Sequence, residues 1–154
     1  MLILENTSKK IRIGDKEIEI LKNINIEIED GEMVAICGKS GCGKSTLLGT
    51  MSGIDKPTTG SVYYNGDDIY SLSDTKLAQM RNLHFGIIFQ DYQLFPELTV
   101  LENIEVPLLL RNTDKKKKQN LIEVLQKVDL QENMNTKVSL LSGGEQQRVA
   151  IARA

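Results

Sequence analysis

The sequence predicts a mixed α/β fold. It has an antiparallel β layer at the N-terminus, a core in which a buried strand feeds a helix, and an α-helical subdomain interrupting that core. Three observations carry this. Residues 17–20 and 24–29 alternate isoleucine with polar groups at period two, the pattern of strands with one face in water. Met33-Val34-Ala35-Ile36-Cys37 is a continuous apolar run, as expected of a strand covered on both faces. Residues 96 to about 140 read as all-helical.

Length and composition bound the reading. The chain has 154 residues, 40% hydrophobic and 26% charged, the proportions of one soluble globular domain with a sizeable core. Nineteen Lys and Arg against 21 Asp and Glu give a net charge of −2, which argues against a general nucleic-acid or membrane-surface binder. No apolar run is long enough to span a bilayer. The start, MLILENTSKK, puts apolar residues before basic ones and offers no small-residue cleavage site, so it is not read as a signal peptide. Cys37, Cys42 and the lone His84 are too few for a structural zinc site. The expectation is two reduced thiols in a cytosolic protein.

The elements follow in order. Gly14-Asp15 makes a turn before a strand at Glu17–Ile20, and a second half-buried strand covers Ile24–Glu29. Asp30-Gly31 turns the chain into the core strand at 33–37. Gly43 to about Gly53 reads as a helix, and Ser61–Tyr64 as a strand ended by Asn65-Gly66. Ser73 caps a helix that reaches about Leu83, with Asp74 in its first turn. Phe85–Phe89 is expected to be a second buried strand. Thr99-Val100-Leu101-Glu102 has the capping-box pattern, and Pro107 should kink or restart the helix it opens. Leu121, Val124, Leu125 and Val128 form an amphipathic stripe. The Lys115–Lys118 run before it is read as a solvated helix start or loop rather than a contact with anionic lipid, because such runs are usually exposed charge.

Chemistry enters at Gly38-Lys39-Ser40-Gly41-Cys42-Gly43-Lys44-Ser45, which fits GxxxxGK[ST] at every fixed position. The glycines let the backbone curl so that successive N–H groups face an anion. The positive end of the following helix adds its dipole. Lys44 supplies charge for the β- and γ-phosphates, Ser45 a hydroxyl for Mg²⁺, and Thr46 a contact to the α-phosphate. This loop specifies a nucleotide and Mg²⁺ but no reaction, since kinases, GTPases and motor ATPases share it.

Leu141-Ser142-Gly143-Gly144-Glu145 narrows the choice. Ser142 and Glu145 can form a capping box. The two glycines lower helix propensity, and make sense where bare amides must approach an anion. The segment resembles the LSGGQ signature of ATP-binding-cassette (ABC) ATPases, and Gln146-Gln147-Arg148-Val149-Ala150-Ile151-Ala152-Arg153-Ala154 continues the likeness. Glu145 stands where that family most often has Gln. Phe85-Gly86-Ile87-Ile88-Phe89-Gln90 resembles the family's Q-loop, whose glutamine senses Mg²⁺ and the attacking water. A Walker B strand ending in Asp91 is the competing reading; Gln90 intervenes before the aspartate and Tyr92 follows it, which favours the Q-loop. His84 is read as a helix-end or core residue, because the family's switch histidine lies beyond the signature.

The resemblance covers the whole chain and implies a P-loop NTPase core of ABC ATPase type, C-terminally incomplete. It implies three parts: antiparallel layer and P-loop core at 1–90, helical subdomain at 91–140, signature and its helix at 141–154. Thr99–Ile104 and Pro107-Leu108-Leu109 look like the branch that serves lipoprotein release, macrolide or antimicrobial-peptide export and FtsX-type permeases. The implied function is an ATP-binding subunit coupling ATP binding and hydrolysis to a transmembrane permease at the cytoplasmic face of the cell membrane. Two copies would pair head to tail, with Lys44, Ser45 and Gln90 acting in cis and Ser142 and Gly144 in trans. The long coiled coils of the DNA-repair and chromosome ATPases have no counterpart, since no sustained heptads lie between Lys44 and Ser142.

Three departures from the family stand out. Ile11 occupies the position of the residue that stacks on adenine, and loses an aromatic increment of ~1–3 kcal/mol per base, so weaker ATP binding is expected. Cys42 lies in the P-loop beside Lys44, surroundings of a reactive thiol, although an inert small residue reads equally well there. The Walker B aspartate and catalytic glutamate are not in the sequence, so an alternative reading is an ATP-binding fragment that does not hydrolyse.

Overall fold

The structure is a computed structural model that describes residues 1–110 and 118–154, the side chains of 118–120 excepted. Lys115–Lys117 and the side chain of Lys118 therefore lie outside it. The chain forms two compact units, Met1–Arg81 and Asn82–Ala154.

The first unit is built on a four-stranded antiparallel sheet of order β2-β1-β3-β4, with β1 at Leu2–Ile13, β2 at Lys16–Ile28, β3 at Thr59–Tyr64 and β4 at Asp67–Asp68. Leu2 pairs with Ile28 on one side and with Tyr64 on the other. The two alternating runs expected as separate strands are one strand, β2. Its register shifts around Asn23, whose φ of 47° marks a bulge, and Leu21 turns inward where the alternation breaks. α1 (Lys44–Met51) follows β2, α2 (Asp74–His84) runs across the boundary at Arg81, and Leu4, Leu21, Leu47, Met51, Val62 and Ile69 close the core of the first unit.

The secondary structure described after α2 is helical: α3 (Val100–Leu109), α4 (Lys118–Lys127), a 3-10 turn at Val138–Leu140 and α5 (Gly143–Arg153). Leu121 and Leu125 of the stripe are buried with Val100, Ile104, Leu130 and Val149. α3 runs through Pro107 and stops two residues later at Leu109, rather than restarting there. Among the described residues no helix is long and apolar enough to cross a membrane.

Two expected strands are not formed. Met33–Cys37 and Phe85–Phe89 lie in neither a strand nor a helix, and Met33 is 97% exposed and Ile88 50%. A strand covered on both faces draws its stability from neighbouring strands and overlying helices, not from its own residues. Apolar composition alone does not supply those neighbours.

Candidate functional site

The P-loop is shaped by glycine geometry. Gly41 has φ 78° and Gly43 φ 96°, conformations that glycine adopts without steric penalty. Gly43 is also held close to β2: a Cβ there would come within 2.9 Å of Ile20 Cγ2 and 3.1 Å of its carbonyl oxygen. Cys42 N–H donates to Lys39 O at 3.3 Å, closing the turn. The Lys44 ammonium folds back over the loop and donates to Gly38 O at 2.9 Å and Lys39 O at 2.8 Å. It lies 3.9 Å from Cys42 Sγ. That thiol packs on Gly38, where a Cβ would meet it at 2.7 Å. Cys37 and Cys42 are both free thiols and exposed.

Gly43 caps α1 without a side-chain hydrogen bond, and the first turn holds no acidic residue. The leading amides of α1, the helix dipole and the Lys44 ammonium thus gather positive charge at one place. Ser45 stands exposed in the first turn and Thr46 is half-buried behind it. Lys39 and Ser40 are exposed. The far end of α1 is tied down. Tyr70 Oη donates to Thr50 O at 2.8 Å and Asp55 O at 3.0 Å, and Arg81 donates to Gly53 O at 2.8 Å. Burial, and then the Asp55 charge, hold the Tyr70 phenol well above its usual pKa, so it stays a donor.

Ile11 lies on β1, paired with Ile18 of β2 and half-buried.

Gln90 is exposed at the end of the Phe85–Phe89 segment, with a tight turn after it. Tyr92 N–H donates to Phe89 O at 3.1 Å, and Gln93 N–H to Asp91 O at 2.7 Å. Behind this turn Asn103, fully buried on α3, accepts from Phe95 N–H at 2.9 Å and donates to Phe95 O and Thr99 O, each at 3.0 Å.

The signature opens α5 as the sequence predicts. Ser142 is the N-cap, and Glu145 closes a capping box by accepting Ser142 N–H at 2.8 Å and its hydroxyl at 2.6 Å. Asn133 steadies the other carboxylate oxygen at 3.5 Å, and Gln146 Nε2 donates to Leu141 O at 3.1 Å. Gly143 and Gly144 are exposed, and a Cβ on either would touch nothing. Internal packing therefore does not require these glycines, which leaves their bare amides as the feature they provide.

The structure thus gathers residues 38–46 within the first unit and Ser142–Glu145 within the second, which also holds Gln90. The reading of the sequence missed the support around them. Tyr70 and Arg81 finish α1, Asn103 pins the segment after Gln90, and Arg153 binds the turn itself. Their partners are backbone groups brought together by folding, and no local spacing announces such contacts.

Comparison with known proteins agrees with these motifs. Residues 21–154 match the family model described as ABC transporter. An uncharacterized ABC transporter ATP-binding protein, YvrO of Bacillus subtilis (strain 168), is 44% identical over 155 residues, covering 100% of this chain and 68% of YvrO. The macrolide export ATP-binding/permease protein MacB of Salmonella choleraesuis (strain SC-B67) is 43% identical over the whole chain, which spans 24% of MacB. The lipoprotein-releasing system ATP-binding protein LolD of Buchnera aphidicola subsp. Schizaphis graminum is 44% identical, over 97% of this chain and 66% of LolD. These relatives fit the lipoprotein-release and macrolide-export branch. Among solved structures, the dimeric bacterial ABC transporter cassette MJ0796 superposes with a TM-score of 0.92 at 40% identity, over 99% of this chain and 68% of that one. A post-hydrolysis state of the same cassette, bound to ADP and Pi, gives the same values. The relatives favour a transporter cassette over a module that only binds nucleotide. With the P-loop and the capped signature helix both in place, the chain belongs to the ABC transporter family as an ATP-binding cassette.

Proposed function

We propose that the cassette binds Mg²⁺-ATP at residues 38–46 and couples its binding and hydrolysis to a transmembrane permease, from the cytoplasmic face of the cell membrane. The observation that carries this is the Lys44 ammonium held across the loop beside the uncapped N-terminus of α1. The amides of Gly38, Lys39, Ser40, Gly41, Cys42 and Gly43 line the phosphate path. Lys44 moves its hydrogen bonds from the loop carbonyls to the β- and γ-phosphates. Thr46 receives the α-phosphate. Mg²⁺ supplies charge neutralisation on the phosphates, and Ser45 and Gln90 are the residues that would hold it. Ile11 makes an aliphatic contact to adenine.

Ser142, Gly143, Gly144 and Glu145 offer the capped start of α5 to the γ-phosphate held by a second copy, so that two cassettes pair head to tail. The open space around the two glycines supports this, as does the dimeric state of MJ0796. The helical second unit faces the permease, and ATP-driven closure moves that partner.

Lys44→Ala tests the site. Losing charge-assisted contacts of about 1.5–3 kcal/mol should weaken binding of a fluorescent ATP analogue by ~10–100-fold. Unchanged affinity would refute the assignment. Ile11→Tyr should instead tighten binding and sharpen selectivity for adenine; equal affinities for the two proteins would remove Ile11 from the site.

A further inference from the structure

The turn after Gln90 is held in an uncommon shape. Tyr92 has φ 60° and Gln93 φ 43°, two successive non-glycine residues in left-handed backbone. Such residues persist where their surroundings over-determine them. Here the surroundings include one side chain from the last turn of α5. Arg153 donates through Nη1 to Gln93 O at 2.6 Å and through Nη2 to Tyr92 O at 2.7 Å. A planar guanidinium that spans two neighbouring carbonyls fixes both peptide planes together, which a single ammonium cannot do.

The same end of α5 also meets the chain before Gln90. A Cβ on Gly86 would lie 2.5 Å from Ala154 O, so the two backbones are in close approach. Gln90 therefore sits on a short segment gripped on both sides by one helix end. The helix itself is firmly set, with Val149 and Ala150 buried along it and Ser142–Glu145 capping its start.

We infer that Arg153 is a positioning residue for Gln90: its clamp on Tyr92 and Gln93 sets the direction of the glutamine from α5, the helix that begins with the signature. Arg153 acts through the backbone of the turn. The eleven residues of α5 make a strut of about 16 Å. A ligand seated at Ser142–Gly144 would thus bias the turn that carries Gln90. The role given to Gln90 rests on the reading proposed above; the clamp does not.

The experiment has two arms on the whole chain. The first is amide hydrogen exchange of Arg153→Met, with Arg153→Lys as the variant that keeps the charge and the packed stem. Both should speed exchange over residues 89–95 by about tenfold while α3 and the rest of α5 keep their protection. Unchanged exchange over 89–95 in both variants overturns the clamp, and equal loss of protection throughout the second unit overturns it as a local device. The second arm is the Mg²⁺ dependence of binding of the methylanthraniloyl analogue of ATP, read in a cycle of Arg153→Lys, Gln90→Ala and the double variant. Each single change should raise the Mg²⁺ requirement, and the double change should add nothing to Gln90→Ala. Full additivity overturns positioning through Gln90. A Gln90→Ala protein with the wild-type Mg²⁺ requirement overturns the role of Gln90 itself, and with it the functional half of the inference, whatever the exchange arm shows.

Discussion

Glycines at two places in the chain do opposite things. Gly43 is required by the fold: its φ is 96°, and a side chain would collide with Ile20. Gly143 and Gly144 have ordinary backbone and open space around them, so the fold tolerates any small residue there. This separation yields a prediction. Gly43→Ala should lower unfolding stability by about 1–3 kcal/mol in urea, through strain and crowding. Gly144→Ala should raise it by roughly 0.5–1 kcal/mol, because alanine has less backbone freedom to lose. Yet Gly144→Ala should impair ATP-dependent self-association, since a methyl group then stands in front of the amides. A Gly144→Ala protein that pairs normally would show that the glycines serve some other need. The sequence made the P-loop and signature residues legible because their constraints are local, spanning eight and four positions. It was silent on Arg153 and Asn103, whose backbone partners lie far from them or on the other side of a turn.

Helix starts show the same logic at the level of elements. Both capping boxes expected from the sequence, Thr99–Glu102 and Ser142–Glu145, are formed. Their readability follows from reach: four consecutive residues satisfy one another, whatever surrounds them. The segments at 33–37 and 85–89 failed as strands for the converse reason. The boxes also titrate. The backbone N–H of Thr99, then its hydroxyl, hold the Glu102 carboxyl below its ordinary pKa. The Ser142 hydroxyl, then its backbone N–H, do the same for Glu145. A carboxyl depressed in the folded state binds protons less readily there than in the unfolded chain. Its stabilisation is therefore complete above the unfolded carboxylate pKa and is lost as pH falls through the depressed folded value. Glu145→Gln preserves a capping box at neutral pH but has no proton to take up. The Glu145→Gln protein should have a slightly lower thermal midpoint than wild type near pH 7 and lose less on acidification, so that the two converge at low pH. Superimposable pH profiles for the two proteins would count against a titrating box.

At the scale of the molecule, apolar residues divide into those that hold each unit together and those that do not. Leu4 is 1% exposed in the first unit and Leu125 fully buried in the second, whereas Met33 is 97% exposed. Sequence patterning does not draw this line. Met33 belongs to the most continuous apolar run near the P-loop, and composition alone ranks it with the core. The distinction depends on which elements lie above and below a side chain, and that is settled only by tertiary packing. Energetics should follow burial rather than hydrophobicity. Leu4→Ala and Leu125→Ala each remove well-packed methyl groups and should cost about 2–5 kcal/mol. Met33→Ser and Ile88→Ser remove side chains that are exposed or half-exposed, and should change unfolding stability by no more than roughly 0.5 kcal/mol. The exposed apolar side chains have a different consequence. They offer adhesive apolar surface, which promotes association. The paired serine variant should therefore scatter less light at high concentration than wild type while unfolding at the same urea midpoint. A fall in midpoint comparable to that of Leu125→Ala would place Met33 and Ile88 inside a packed core, and would reverse the division drawn from their exposure.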